Sequence, residues 1–310
     1  MTAGFTKPTT LLRNAEVGVR NLVGAHVPAD SRRGFTDHME VMSSKLVLGY
    51  KKYPTATNYP TDAMKNAATA GAAKAATIMR KVNDEFAGIL MLRSKESTLM
   101  QQVLATHFHL RAGEATDLNL KSNVVNKGIG LKAIVEKDRR WVLEKIRQKM
   151  LSLSFHLNTG IYLVDIDSSR RDIKAGRVFN PANADQSTEA SVSAQKATID
   201  DTTWRATSYK WHDNTIGGYR HGEIHVSLDR LKNYTPISYA RIIIHEATHK
   251  YFNTDDEAYA HEGTYAGLNL SQTLNNADSY AWAAVSLYCG SVKMGAVADY
   301  GNDWAACSKP

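Results

Sequence analysis

Thr235-Pro236-Ile237-Ser238-Tyr239-Ala240-Arg241-Ile242-Ile243-Ile244-His245-Glu246-Ala247-Thr248-His249-Lys250-Tyr251 is the stretch on which the reading of this chain turns. Thr235 suits an N-cap and Pro236 the first helical position, where a missing N–H is no loss. A helix is predicted from Ile237 to about Tyr251, with Ala240, Ile243, Ile244, Ala247 and Tyr251 on its apolar face. Residues four apart share a helix face, so His245 and His249 can present two imidazoles to one ion. Neutral imidazole nitrogen is a good zinc ligand. Glu246 adjoins the first ligand and can project beside a metal-bound water, as general base and then as proton donor to a leaving group. The preceding run Ile242-Ile243-Ile244 marks the helix as buried. Two histidines and a glutamate are costly there unless they have partners. The competing reading is a helix whose polar face spells H-E-x-x-H by accident.

Upstream, Tyr209 to Leu228 holds two extended runs around Thr215-Ile216-Gly217-Gly218. The second, Gly222-Glu223-Ile224-His225-Val226-Ser227-Leu228, alternates polar and apolar residues, as a half-buried strand or the second arm of a hairpin does. His221 and His225 share one face of it and read as polar residues on a solvated face. Asn180 to Thr203 is polar throughout and reads as a long loop. Gly160 to Ile166 is rich in β-branched and aromatic residues and reads as a strand. Before it, Leu131, Ile134, Trp141, Ile146 and Leu153 line one face of a helix, with Glu136, Lys137, Arg140 and Lys149 facing elsewhere. Asp62 to Arg111 is rich in helix-forming residues. Within it Ile78, Val82, Phe86 and Ile89 form an apolar stripe that Leu99, Val103 and Leu110 continue. Downstream, a last helix is predicted from about Ala277 to Cys289.

With 310 residues the chain is long enough for one large domain or two smaller ones. Its formal net charge of +7 suits an acidic partner. The lysines and arginines are scattered, however, and no basic run interleaves with aromatics, so nucleic acid is not the expected partner. No stretch approaches the roughly 18 apolar residues that span a bilayer. Met1 to Arg20 lacks the apolar core of a secretory signal, so synthesis in the cytoplasm is expected, with export left to a specialised secretion system. Two cysteines, Cys289 and Cys307, make neither a disulfide scaffold nor a cysteine zinc site. One bridge in an oxidising compartment and two free thiols in a reducing one are both open. The histidines outside the motif show no ligand-like spacing beyond a weak His107/His109 pair.

A catalytic zinc needs a third protein ligand and an open position. Downstream candidates are Asp255, Asp256, His261, Glu262 and Asp278. The segment Asn253-Thr254-Asp255-Asp256-Glu257-Ala258-Tyr259-Ala260 resembles the aspzincin signature G-T-x-D-x-x-Y-G. Asn275-Asn276-Ala277-Asp278-Ser279-Tyr280-Ala281 resembles the N-A-D-[ST]-Y-A segment that follows it in that family of deuterolysin-like and lysine-specific metalloendopeptidases. The likeness covers roughly His225 to Leu287. It implies one zinc ion held by His245, His249 and Asp256. It also implies Glu246 as catalytic base, Tyr259 as hydrogen-bond donor to the oxyanion, and Asp278 as an orienting residue or part of the pocket beyond the scissile bond. Asn253 and Ala260 stand where the family signature has glycine. Asn tolerates left-handed backbone and Ala does not do so cheaply. A ligand six residues after the second histidine, the metzincin spacing, would instead be Asp255.

The resemblance implies a zincin-like α+β fold. It is mostly helical, with a small mixed or antiparallel sheet packed on the H-E-x-x-H helix. A helical N-terminal region (1–115) would precede a metallopeptidase domain (116–310). The activity implied is zinc-dependent hydrolysis of peptide bonds in a peptide or protein substrate. A peptidase without a signal further suggests a toxin or effector, with a secretion apparatus and an inhibitor or immunity protein as partners. The alternatives are a binding module stabilised by structural zinc, its fourth position closed by a residue such as His261, and a helical interaction protein that holds no metal.

Overall fold

A computed structural model describes residues 38–43, 45–50, 59–91, 96–112, 131–165, 190–191, 215–216, 219–220, 223–252, 254–295 and 307. The fold is α+β. In chain order the strands are β1 (His38–Ser43), β2 (Leu46–Tyr50), β3 (Ile161–Asp165), β4 (Ala190–Ser191), β5 (Thr215–Ile216), β6 (Tyr219–Arg220) and β7 (Glu223–Val226). The α-helices are α1 (Asp62–Met91), α2 (Thr98–Phe108), α3 (Leu131–Thr159), α4 (Leu228–Leu231), α5 (Pro236–Phe252), α6 (Leu270–Asn275) and α7 (Ala277–Cys289). Among the described residues no helix is long and apolar enough to cross a membrane.

The chain forms two compact units that interleave along the sequence. One comprises Met1–Ala75 and His156–Tyr251, the other Ala76–Phe155 and Phe252–Pro310. Residues 1–115 and 116–310 therefore each contribute to both.

The first unit is built on a mixed five-stranded sheet in the order β1-β2-β3-β7-β4. The pairs β2/β3 and β3/β7 are parallel, while β1/β2 and β4/β7 are antiparallel. Every residue of β2 and β3 is buried, which is why Leu-Val-Leu-Gly-Tyr and Ile-Tyr-Leu-Val-Asp read as apolar runs without alternation. Gly49 belongs to this packing: a Cβ there would lie 2.5 Å from the Tyr162 hydroxyl. The strand expected over Gly160 to Ile166 is β3. The alternating run at 222–228 contains β7, which is not a hairpin arm but lies inside the sheet between β3 and β4. β5 and β6 make a separate two-stranded hairpin. His221, the side chain of His225 and most of 180–203 lie outside the described residues.

The buried Asp165 ends β3. Its carboxylate accepts a hydrogen bond from the Tyr59 hydroxyl and a long one, 3.5 Å, from the Leu228 N–H at the start of α4. Thr235 caps α5 as expected, its hydroxyl accepting from the Ser238 N–H at 3.2 Å. Nearly all of α5 is buried. Its Tyr239 ring lies against Gly71 of α1, where an added Cβ would come within 2.6 Å of the ring.

In the second unit α2 and α7 pack together, with Phe108 edge-on to Tyr280 at 5.0 Å between centroids. The Thr273 hydroxyl donates to the Phe108 carbonyl at 3.2 Å. Trp141 departs from the face expected for α3. It is 43% exposed, while Val142, Leu143, Ile146, Met150 and Leu153 are buried. The Lys145 ammonium lies over its ring, 5.3 Å from the centroid, so the indole serves as a cation–π surface rather than core. Lys149 also departs from a solvated face. Its ammonium donates to the Leu274 carbonyl at 2.7 Å, and burial pushes its pKa down to about 8. Cys289 and Cys307 form a disulfide that holds Cys307 to the end of α7.

Gly71→Ala tests the α1–α5 contact. In an exposed helix the change would stabilise by up to about 1 kcal/mol. Against Tyr239 it overpacks, and a loss of roughly 1–3 kcal/mol in urea unfolding is expected. A variant as stable as the parent would refute the contact.

Candidate metal centre

The helical repeat of α5 brings His245 and His249 onto one face. Their Nε2 atoms face each other at 3.0 Å, and their rings stand 4.8 Å apart at 80°. Two ligands on a tetrahedral zinc at ordinary bond lengths are about 3.3 Å apart. The two nitrogens thus already sit close to that spacing. Glu246 joins them: one ligand atom from each of the three residues lies within 4.8 Å of the others. His245 is 5% exposed and Glu246 7%, with His249 more open. Two imidazole nitrogens and a carboxylate this close, on two buried residues and one half-buried, are a donor set that can hold a metal ion. Among the described residues, this is the group of histidine, cysteine and carboxylate side chains with the proximity that ligation needs.

The helix supports the site locally. The Thr248 hydroxyl donates to the His245 carbonyl at 2.8 Å, which satisfies a buried hydroxyl between the two histidines. On α3, His156 stacks on Tyr251 at 3.8 Å, so that histidine is absorbed by packing.

The remaining expected residues lie in the second unit, on the segment that follows α5 and on α7. Asp255 forms a parallel bridge with Asn276: its N–H donates to the Asn275 carbonyl at 2.8 Å and its carbonyl accepts from the Ala277 N–H at 3.1 Å. Its carboxylate accepts from the Asn275 amide at 3.0 Å. Asp256 is exposed, and its carboxylate accepts a hydrogen bond from the Tyr259 hydroxyl at 3.0 Å. Tyr259 is itself 36% exposed and stacks on His261. Glu262 accepts from the Tyr259 N–H at 3.0 Å. Asp278, only 1% exposed, accepts from the Ala260 N–H at 2.8 Å. Its carboxylate thus orients the backbone just after Tyr259. Ala260 is one of the two positions where the family signature has glycine, and its φ is not positive. The turn after Tyr259 therefore asks for no left-handed residue.

One histidine had a role that spacing does not reveal. His107 is fully buried between the Tyr265 hydroxyl at 3.0 Å from Nδ1 and the Ser286 hydroxyl at 3.2 Å from Nε2. Its neighbour His109 ends α2 in left-handed backbone, φ 51°, so the two do not converge. Loss of hydration holds the His107 pKa down at about 3.

Comparison with family models, with curated proteins and with solved structures finds no match to this chain.

The His107 environment has a measurable consequence. Its folded pKa of about 3 lies below the ordinary value of 6.5, so between these the unfolded chain binds a proton that the folded chain refuses. Stability is fully present above about pH 6.5 and is lost as pH falls toward 3. The difference in unfolding free energy between the parent and His107→Gln should shrink steadily over that window. A difference that is constant from pH 7 to 4 would contradict a neutral, buried imidazole.

Proposed function

We propose that this chain is a zinc-dependent metalloendopeptidase of aspzincin type. The observation that carries the reading is the pair of imidazole nitrogens 3.0 Å apart, with the Glu246 carboxylate beside them on the same helix. Zinc, when bound, supplies a Lewis acid that polarises a carbonyl and acidifies water. Glu246 removes a proton from the attacking water and delivers it to the leaving amine, a role its place between the two histidines in sequence suits. Tyr259 presents an exposed phenol whose one O–H rests on the Asp256 carboxylate and turns from it to donate to the oxyanion developing on the peptide carbonyl.

The third ligand is assigned to Asp256 by the sequence resemblance. The geometry of its own loop supports that choice over Asp255. Both carboxylates are exposed, but that of Asp255 accepts from Asn275 and its backbone is tied to residues 275 and 277, whereas that of Asp256 accepts from the Tyr259 phenol. A phenol donating to a ligating carboxylate is the kind of outer contact that orients metal ligands. The substrate is a peptide or protein, and the Cys289–Cys307 bridge supports action in an oxidising compartment.

Glu246→Gln should keep one zinc per chain and lower kcat on a mixed peptide library by about 10²–10⁴-fold. Asp256→Ala should lose zinc on dialysis, and Asp255→Ala should retain it. Equal cleavage by the parent and Glu246→Gln would sink the mechanism. Zinc loss in Asp255→Ala alone would move the ligand by one residue.

A further inference from the structure

We propose that Asn276 is a positioning residue that presets the Asp256–Tyr259 segment before any metal arrives. The proposal rests on the metallopeptidase reading for its consequence, but the grip itself is a property of the second unit alone.

Asn276 occupies the N-cap position of α7, φ −90°, ψ 124°. An asparagine there ordinarily turns its side-chain oxygen onto its own helix, a contact that typically stabilises by about 1 kcal/mol. Asn276 makes no such cap. Its carboxamide instead reaches back across the chain. The oxygen accepts from the Glu257 N–H at 3.1 Å and, at longer range, from the Ala258 N–H at 3.4 Å. The amide nitrogen donates to the Ala258 carbonyl at 2.9 Å and to the Ser279 hydroxyl at 3.2 Å. Both ends of one buried, fully enclosed side chain thus hold both polar groups of Ala258. A carboxamide has two donors and an acceptor oxygen on one rigid plane, and no other side chain of that size offers both.

The grip is flanked on either side. Upstream, Asp255 is hydrogen-bonded through its N–H and its carbonyl to residues 275 and 277. Downstream, Asp278 takes the Ala260 N–H. Residues 255, 257, 258 and 260 are therefore fixed by backbone contacts to the start of α7. Asp256 and Tyr259 lie between these points, both are exposed, and the Tyr259 hydroxyl donates to the Asp256 carboxylate. A short irregular segment whose backbone is held on both sides of an exposed side chain gives that side chain a set direction. A ligand so held loses little freedom on binding metal, which raises affinity without any added contact.

The test uses the full chain. Asn276→Asp keeps an acceptor for the Glu257 and Ala258 N–H groups but removes the donor to the Ala258 carbonyl. Asn276→Ala removes both. Zinc affinity is read by competition with a chromophoric chelator, coordination by cobalt(II) absorption, and the clamp by hydrogen exchange at the amides of Glu257, Ala258 and Ala260. The metal-free parent should show all three amides protected, with little change on zinc loading. Zinc affinity should fall roughly tenfold in Asn276→Asp and up to roughly 100-fold in Asn276→Ala, and the cobalt spectrum should change shape in both. A merely structural asparagine would lower Tm and leave the affinity and spectrum of the folded variants unchanged, which would overturn the proposal. Free exchange of those amides in the metal-free parent would overturn it too, and decides the matter even where the variants do not fold. A parent that takes up no zinc while its amides are protected would defeat the peptidase reading and leave the clamp standing.

Discussion

Two imidazole nitrogens face each other at 3.0 Å, one helical turn apart, inside a helix that is almost wholly buried. That contact is the constraint the first unit serves. Burying a histidine and a glutamate, with a second histidine half-buried beside them, is unfavourable unless the groups are satisfied. Thr235 and Pro236 fix where the helix begins, and Gly71 lets the Tyr239 ring seat against α1. Thr248 ties off its hydroxyl on the His245 carbonyl. The helix is thereby held in register, and its register is what aims both nitrogens at one point.

The second unit solves a different problem, that of giving direction to a short irregular segment. A loop has no ladder of its own to set its side chains. Here the ladder is lent by the start of α7, through the backbone of residues 275 and 277 and the side chains of Asn276 and Asp278. Behind it the Leu274 carbonyl accepts from both Lys149 and Tyr280, so the end of α6 is itself pinned. His107, neutral between Tyr265 and Ser286, fixes α2 against α7 without introducing charge. The bonds of His107, Lys149, Asn276 and Asp278 join residues distant in sequence, and their satisfaction makes these groups specific rather than costly.

Much of the helical skeleton was legible in the sequence. The start of α5 follows from its capping chemistry and its course from the apolar period, α7 lies where a last helix is expected, and the H-E-x-x-H spacing alone says that two imidazoles can meet. What was not legible depends on pairing at a distance. Leu46 to Tyr50 is a short apolar run with no alternation, because parallel pairing with β3 buries it on both faces. For the same reason β7, read as a possible hairpin arm, takes an inner place beside β3. Trp141 reads as core by type and period, yet its ring faces outward under Lys145. The pairing of Cys289 with Cys307 was one of two open outcomes, since two cysteines carry no signal of compartment in themselves. Asn276 looked like part of a motif. Its role became visible only when its carboxamide was found on a backbone segment 18 residues earlier rather than on its own helix.

The central claim is that a divalent ion sits between the nitrogens of His245 and His249. X-ray absorption at the zinc edge of the purified, zinc-loaded chain addresses it most directly, because imidazole rings scatter with a distinctive outer-shell pattern. The account predicts two imidazoles at about 2.0–2.1 Å, completed by oxygen from a carboxylate and solvent. A first shell of oxygen alone, a shell containing sulfur, or a chain that takes up no zinc would contradict it.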